Sequence, residues 1–450
     1  MEVKSEKGKV KNPIVKAGGW NLIDNNWKMV DNTNIKRLVT DSVLCHTGAE
    51  RSVETVRQGR SVALLRCLLL WLVALTVFSC RDGYEVVPST TEKPGGVITS
   101  TSVVGMYLLN EGNMGSNMCT LDYLDLSGTT ATYLRNIYAE RNPTVVKELG
   151  DVGNDIKVYG SKLWMVINHS NKVEVATLDD CRRVGQINIP NSRYVTFDGK
   201  YAYVSSYVGP VGVFKDAPLG CVYKVDTLSL KIVSRVTVGY QPDEMAIVDG
   251  KMYVANSGGY RVPNYDRTVS VVDLNTFKEE RKIDVGINLH RCRADKYGQV
   301  WVTSRGDYFD IPSNLYWLQK DSNGEMQLAG ALDVPVSELC IVGDSLYFYA
   351  TEWSYISGSN TVTYGIVNVK THEVVSRQLS SAAEIGEIEH PYGIIVNPID
   401  RDFYLMDAKN YVSSGELLHF HADGTFDWRV STGDIPAHAA FVFKTTKHER

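Results

Sequence analysis

The sequence predicts an all-β fold, a seven-bladed β-propeller closed by strands from both ends of the chain. Three observations carry that expectation. First, a line of text recurs from about residue 103: a short apolar strand, a turn with Gly or Asp, then an aromatic-rich strand. Early copies are DIKVYGSKLWMVIN (155–168), YVTFDGKYAYVSS (194–206) and MAIVDGKMYVANS (245–257). Later copies are CRADKYGQVWVTS (292–304), LCIVGDSLYFYAT (339–351) and GIIVNPIDRDFYLMD (393–407). Second, each copy precedes a third strand, such as TVSVVDLNT (268–276), and in several a fourth is plain, such as ERKIDVG (280–286). Four strands at a period of about 40–55 residues make a propeller blade. Third, the pieces left over at the two ends add up to one more blade.

The six full copies run from 151 to about 434. AHAAFVF (437–443) reads as a first strand with nothing after it. GMYLLNEG (105–112), CTLDYLDL (119–126) and TATYLRNIY (130–138) read as second, third and fourth strands with no first. Joining them ties the chain ends together and removes sheet edges that would pair with other molecules. Within the repeats the period is two, as in Val269, Val271 and Asp273 against Ser270 and Val272. That is strand-like rather than helical.

Three segments precede the propeller of 103–443. Residues 1–55 are polar, rich in Asn and Lys and without a sustained period, which fits a disordered leader or an upstream translation artefact. Residues 56–80 place Arg57, Arg60 and Arg66 before an apolar run from Cys67 to Phe78. The run is shorter than the roughly 20 residues a membrane helix needs. A basic flank, a short apolar core and small residues at its end describe a secretory signal; a buried helix is the competing reading. The end, Val77-Phe78-Ser79-Cys80, resembles a bacterial lipobox, which makes Cys80 the expected lipidation site. Residues 81–102, rich in Ser, Thr, Pro and Gly, suit a flexible tether.

The 450 residues suffice for one large all-β domain. A net charge of −5 gives no reason to expect nucleic acid as a partner, because phosphate binding needs a basic surface. The 25 tyrosines favour strands and also build recognition surfaces. The eight cysteines are scattered without a CxxC pair, so neither a zinc motif nor a redox motif is signalled and buried apolar roles are expected.

The stretches YLLNEGNMGSN (107–117), GDVGNDIKVYGSKLWMVINHSNKVEV (150–175), YVANSGG (253–259), DAKNYVSSGEL (407–417) and TGDIPAH (432–438) carry a likeness to a family. They resemble the YVTN or YncE-like seven-bladed propellers, and within them the surface-layer protein group of gut Bacteroidetes. The resemblance implies a lipoprotein on the cell surface or outer membrane. It includes members that capture vitamin B12 for a TonB-dependent outer-membrane transporter. No corrinoid-contacting residue is carried over.

Long connections between second and third strands are expected on one face, over 206–218, 257–267, 305–313, 352–361 and 408–414. They hold Tyr207, Phe214, Tyr260, Tyr265, Tyr308, Phe309, Trp353, Tyr355 and Tyr411. Such loops on a rigid scaffold are where binding normally lives, and aromatics there give rigid contact area. Bracing of the loops by these rings is the alternative. The residues just before each first strand, Asn154, Arg193, Glu244, Arg291, Glu338, Tyr392 and His438, are expected to ring the channel mouth on the same side. They would serve as an ion-pair belt between blades, as a polar floor under a ligand, or as both.

No nucleophile elbow, HExxH, P-loop or EF-hand pattern occurs. His419 and His421, two apart on one strand, point to the same side and read as water-exposed rather than as metal ligands. No cofactor is expected. The leading expectation is non-catalytic capture of a nutrient, such as a corrinoid. The alternatives are a propeller lyase or hydrolase using His290, His390 or His438, and a protein-interaction platform at the envelope.

Overall fold

The computed structural model describes residues 103–145, 149–209, 217–354 and 359–444, the backbone of two short strands near the start, and residues 90–92. The chain divides into two units, Met1–Asp82 and Gly83–Arg450. In the first, Gly19–Ile23 pairs antiparallel with Asn26–Val30. The leader's remaining residues, the signal segment and Cys80 lie outside the described residues.

The second unit is the seven-bladed propeller. Six blades are antiparallel four-stranded sheets in chain order, with inner strands Gly153–Tyr159, Ser192–Asp198, Pro242–Val248, Leu289–Ala294, Glu338–Val342 and Pro391–Val396. We number these blades one to six. Blade seven is assembled from both ends as expected: Pro436–Phe443 is its inner strand and pairs with Val103–Asn110. Thr120–Asp125 and Thr132–Leu134 follow outward. Thr91–Glu92, inside the stretch read as a tether, adds a short fifth strand beyond Thr132–Leu134.

The seventh blade's outer strand is shorter than the sequence suggests. It stops at Leu134, and Asn136 turns in the left-handed region (φ 53°) into the short helix Ile137–Arg141. Asn tolerates that conformation better than most residues, and its N–H donates to Asp122 Oδ1 at 2.8 Å. The helix carries the chain to blade one, where the Tyr138 hydroxyl donates to Glu174 at 2.9 Å.

Blades stack face to face, so their middle strands are buried on both sides and read as nearly continuous apolar runs. Leu163, Trp164, Met165, Val166 and Ile167 are all fully buried. Trp164 packs with Val195 and Val204 of blade two, whereas Met165 packs with Leu109 and Leu121 of blade seven. The third strand Thr268–Asp273 departs from the expected one-sided alternation: Val269, Ser270, Val271 and Val272 are all buried. Ser270 is tolerated there because Asn256 Nδ2 donates to its hydroxyl at 2.9 Å. The outermost strands face water on one side and carry charge, as in Lys278–Asp284. One apolar cluster lies between each neighbouring pair of blades, including six with seven and seven with one. The ring is therefore held shut by the same packing that joins any two blades. Among the described residues no helix is long and apolar enough to cross a membrane.

Candidate binding face

The loops between second and third strands leave the sheets where the inner strands begin, because the start of each inner strand pairs with the end of its neighbour, as in Ser192 with Ser206. This end of the propeller is shaped by a repeated device. In five blades the residue immediately before the inner strand is left-handed: Val152, Asn191, Gln241, Asn288 and Ile435. A register shift follows within the first residues of each of these strands. Bulges of this kind re-aim side chains.

In blades two, three and four the left-handed amide also braces the long loop of its own blade. Asn191 Nδ2 donates to the Gly209 carbonyl. Gln241 Oε1 accepts from the Tyr260 N–H at 2.8 Å. Asn288 Nδ2 donates to the Gly306 carbonyl at 3.0 Å. Gly306 is left-handed, and a Cβ there would lie 1.9 Å from the Ile311 carbonyl oxygen, so this loop closes on a glycine.

The seven residues expected at the channel mouth lie among the first three residues of the inner strands rather than before them. They bridge blades, and one ion pair, Arg291–Glu338, joins two of the seven directly. Arg193 pairs with Asp243 at 3.2 Å, not with Glu244. Asp243 is fully buried and also accepts from Arg305 at 3.1 Å and from the Tyr207 hydroxyl at 2.7 Å. Arg291 pairs with Glu338 at 2.5 Å. Arg293 spans Glu244 at 3.0 Å and Glu338 at 2.8 Å. Asn154 Nδ2 donates to the Arg193 carbonyl at 2.7 Å. On the far side of the ring, Glu111 takes the Tyr392 hydroxyl at 3.1 Å and faces His438 Nε2 at 3.3 Å.

Burial would raise the Glu244 carboxyl, but Arg293, Arg291 and Lys157 more than offset it and hold it below the usual carboxylate range. Burial pushes the Tyr194 phenol up to about 12. Tyr194 therefore accepts from Arg291 Nη1 at 2.7 Å while its own proton faces His290 Nε2 at 3.0 Å. His290 is 2% exposed, and burial together with Arg291, Arg305, Arg193 and Arg293 drives its pKa well below 6.5.

That shift has a definite sign. The folded protein keeps His290 neutral, whereas the unfolded chain takes up a proton below about pH 6.5. The stability from neutral His290 is complete above that pH and is lost as pH falls, at up to about 1.4 kcal/mol per pH unit. A His290→Gln variant, whose amide oxygen can still accept from Tyr194, is expected to show a flatter fall in urea midpoint between pH 6.5 and 5 than the parent. Equal slopes would contradict the assignment.

The loop aromatics divide into two groups. Tyr207 and Tyr411 are buried. Tyr207 holds Asp243 and meets Tyr260 edge-on at 6.2 Å. Tyr411 packs on His390 and Tyr392 at 4.9 and 5.7 Å. These rings brace the face. Tyr265 and Tyr308 are half-buried, and Phe309 is 75% exposed. Tyr355 and Phe214 fall outside the described residues. Trp353 is described by its backbone alone and lies on a strand, not in a loop. Ser345–Ser354 and Ser359–Asn368 form a long hairpin in which Trp353 pairs with Asn360, so most of the expected 352–361 loop is sheet.

Sequence reasoning did not single out Asp243, Arg293, Arg305, Glu111 or Tyr194. Arg291 and Arg293 are two apart on a strand and so share a side, which was a usable signal. Nor did it anticipate the apolar residues that join Phe309 on this face. Met114, Leu219, Val262, Ile311 and Val412 are each more than two-fifths exposed and come from five different loops between second and third strands. A cleft of about 340 Å³ lies elsewhere, at the outer side of blade one beside Lys172, Glu174 and Arg183. Its carboxylate is already taken by Tyr138, Lys172 and Arg183.

A ring with long loops that expose apolar residues at one end, beside a network of arginines and buried carboxylates, defines a propeller consistent with a binding or interaction platform. The chain belongs to the family described as a domain of unknown function, DUF5074, whose model matches residues 104–423. No curated protein matches it. Among solved structures, hydrazine synthase of Kuenenia stuttgartiensis is similar at 13% identity and a TM-score of 0.50, over 64% of this chain and 89% of that chain. The Neurospora crassa Pan2 WD40 domain follows at 8% identity and 0.44, over 64% and 79%. A functionally unknown protein from Desulfotomaculum acetoxidans stands at 12% identity and 0.43, over 60% and 80%. The first likeness supports the propeller fold and nothing about activity.

Proposed function

We propose that this protein is a non-catalytic capture propeller whose face of long loops holds a ligand with both apolar and polar surface, a corrinoid being the leading candidate. The observation that carries this is the set of exposed apolar residues contributed by separate loops around one end of the ring. Long loops on one side of a rigid scaffold are where binding normally lives, and these carry exposed apolar side chains. The buried Arg193–Asp243–Arg305 and Arg291–Glu338–Arg293–Glu244 pairs keep that face from deforming. The resemblance to surface lipoproteins supports anchoring through Cys80 at the outer membrane and delivery to a TonB-dependent transporter. A thermal-shift panel of cyanocobalamin, haemin and representative glycans tests the reading, because a ligand that binds only the native state raises the melting temperature. A shift with cyanocobalamin supports capture. No shift with any of them overturns small-molecule capture and favours a protein partner.

A further inference from the structure

Blade six carries a second cluster, on the face opposite the long loops. Asp402 ends the turn between its first and second strands, and His421 opens the turn between its third and fourth. His419 lies on the third strand, Ser414–Phe420, and Asp427 on the fourth, Phe426–Asp434. His419 is not the water-exposed residue its strand position suggests. It is 3% exposed, with its ring stacked on Tyr404 at 4.6 Å and against Trp428 at 5.0 Å.

The hydrogen bonds fix how these groups face one another. Asp402 Oδ1 accepts the Ala422 N–H at 2.9 Å, which leaves Oδ2 for the histidines. His421 Nδ1 is 3.1 Å from Asp402 Oδ2, and His419 Nε2 is 3.2 Å from the same oxygen. His419 Nδ1 contacts Asp427 Oδ2 at 3.0 Å. His419 therefore presents one ring nitrogen to each of two carboxylates, Nδ1 to Asp427 and Nε2 to Asp402. That Nε2 is buried, and its 3.2 Å contact with Asp402 Oδ2 is not in hydrogen-bond geometry. A metal ion placed between Nε2 and Asp402 Oδ2 would meet a lone pair from each.

We propose that Asp402, His419 and His421 bind a divalent transition-metal ion of the zinc type, with Asp427 orienting His419 from behind. One ligand atom from each of the three residues lies within 4.8 Å of the others. Zinc bonds of about 2.0–2.2 Å in tetrahedral array hold ligand atoms about 3.3 Å apart, close to the two separations from Asp402. A carboxylate on the far nitrogen of a ligating histidine sets its tautomer and raises its basicity, and this is the place of Asp427. Two imidazoles and one carboxylate suit zinc and its neighbours rather than calcium or magnesium. His421 is 45% exposed, so solvent can supply the fourth ligand.

The test is isothermal titration of the whole protein, freed of metal by a chelator, with zinc chloride, followed by cobalt(II) as a spectroscopic probe. One equivalent of zinc should bind, and cobalt should give the visible bands of a tetrahedral site. His421→Ala and Asp402→Asn alter the exposed side of the cluster and should each weaken zinc binding at least tenfold, with unchanged circular dichroism in the absence of metal. Asp427→Asn, which removes only the orienting charge, should weaken it about 10–100-fold. Absence of stoichiometric binding by the parent, or binding unaffected in both His421→Ala and Asp402→Asn, would overturn the proposal. The site lies across the propeller from the capture face, so either outcome leaves the capture reading to its own test.

Discussion

Ending the chain at Ile435 is expected to abolish the cooperative unfolding of the propeller. The deletion removes Pro436–Phe443, the inner strand of blade seven, and leaves Val103–Asn110 without its inward partner. Ala437, Ala440, Phe441 and Val442 are all buried, and their loss uncovers apolar surface on blades six, seven and one. Burying one large apolar side chain is worth about 1.5–3 kcal/mol. The two large ones alone are therefore a substantial share of the roughly 5–15 kcal/mol that holds a typical domain folded. Urea unfolding followed by tryptophan fluorescence should show a broad or absent transition, with aggregation from the opened edges. An unchanged midpoint would mean that closure by both chain ends contributes little.

The second large effect is expected at Glu338. This carboxylate is 3% exposed, takes charge-assisted hydrogen bonds from Arg291 and Arg293, and accepts its neighbour's Leu339 N–H at 2.9 Å. Glu338→Ala leaves two guanidinium groups at the inner edge of the ring short of their shared anion. Removing one partner of a buried ion pair typically costs about 3–5 kcal/mol, because the other charge stays desolvated and uncompensated. Glu338→Gln keeps the shape and an acceptor oxygen, so its loss should be smaller. The exposed pair Arg267–Asp284, with both side chains more than half exposed, is the natural control. Asp284→Ala should change stability by no more than about 1 kcal/mol. If the two alanine variants shift the urea midpoint alike, the inner ring is hydrated and cannot serve as a rigid base for the loop face.

Much of the architecture was legible because a propeller repeats one short pattern. Each blade needs the same strand–turn–strand text, and the unmatched strand 437–443 could complete only the unmatched strands near 105. What escaped depends on tertiary partners. The 352–361 segment reads as a long loop, yet the strands on either side of it extend a hairpin to the pair Ser354–Ser359. The stretch after Leu134 reads as strand, but Asn136 turns left-handed on the Asp122 carboxylate and starts a helix. The ring positions were found, but Arg291–Glu338 is the one described ion pair that joins two of them. Asp243 and Glu244 are adjacent, and only the bulge at the start of the strand decides which of them meets Arg193. The exposed apolar residues of the loop face have no sequence period at all, because they belong to separate loops that only the closed ring brings together.

Hydrogen–deuterium exchange of the whole protein, with and without cyanocobalamin, tests the central claim most directly. Binding on the loop face predicts protection concentrated in 257–267, 305–313 and 408–413, with the turns Asp198-Gly199, Asp249-Gly250 and Gly343-Asp344 on the opposite face unchanged. Protection at those turns instead, or at no position, would contradict the assignment of the long loops as the capture site.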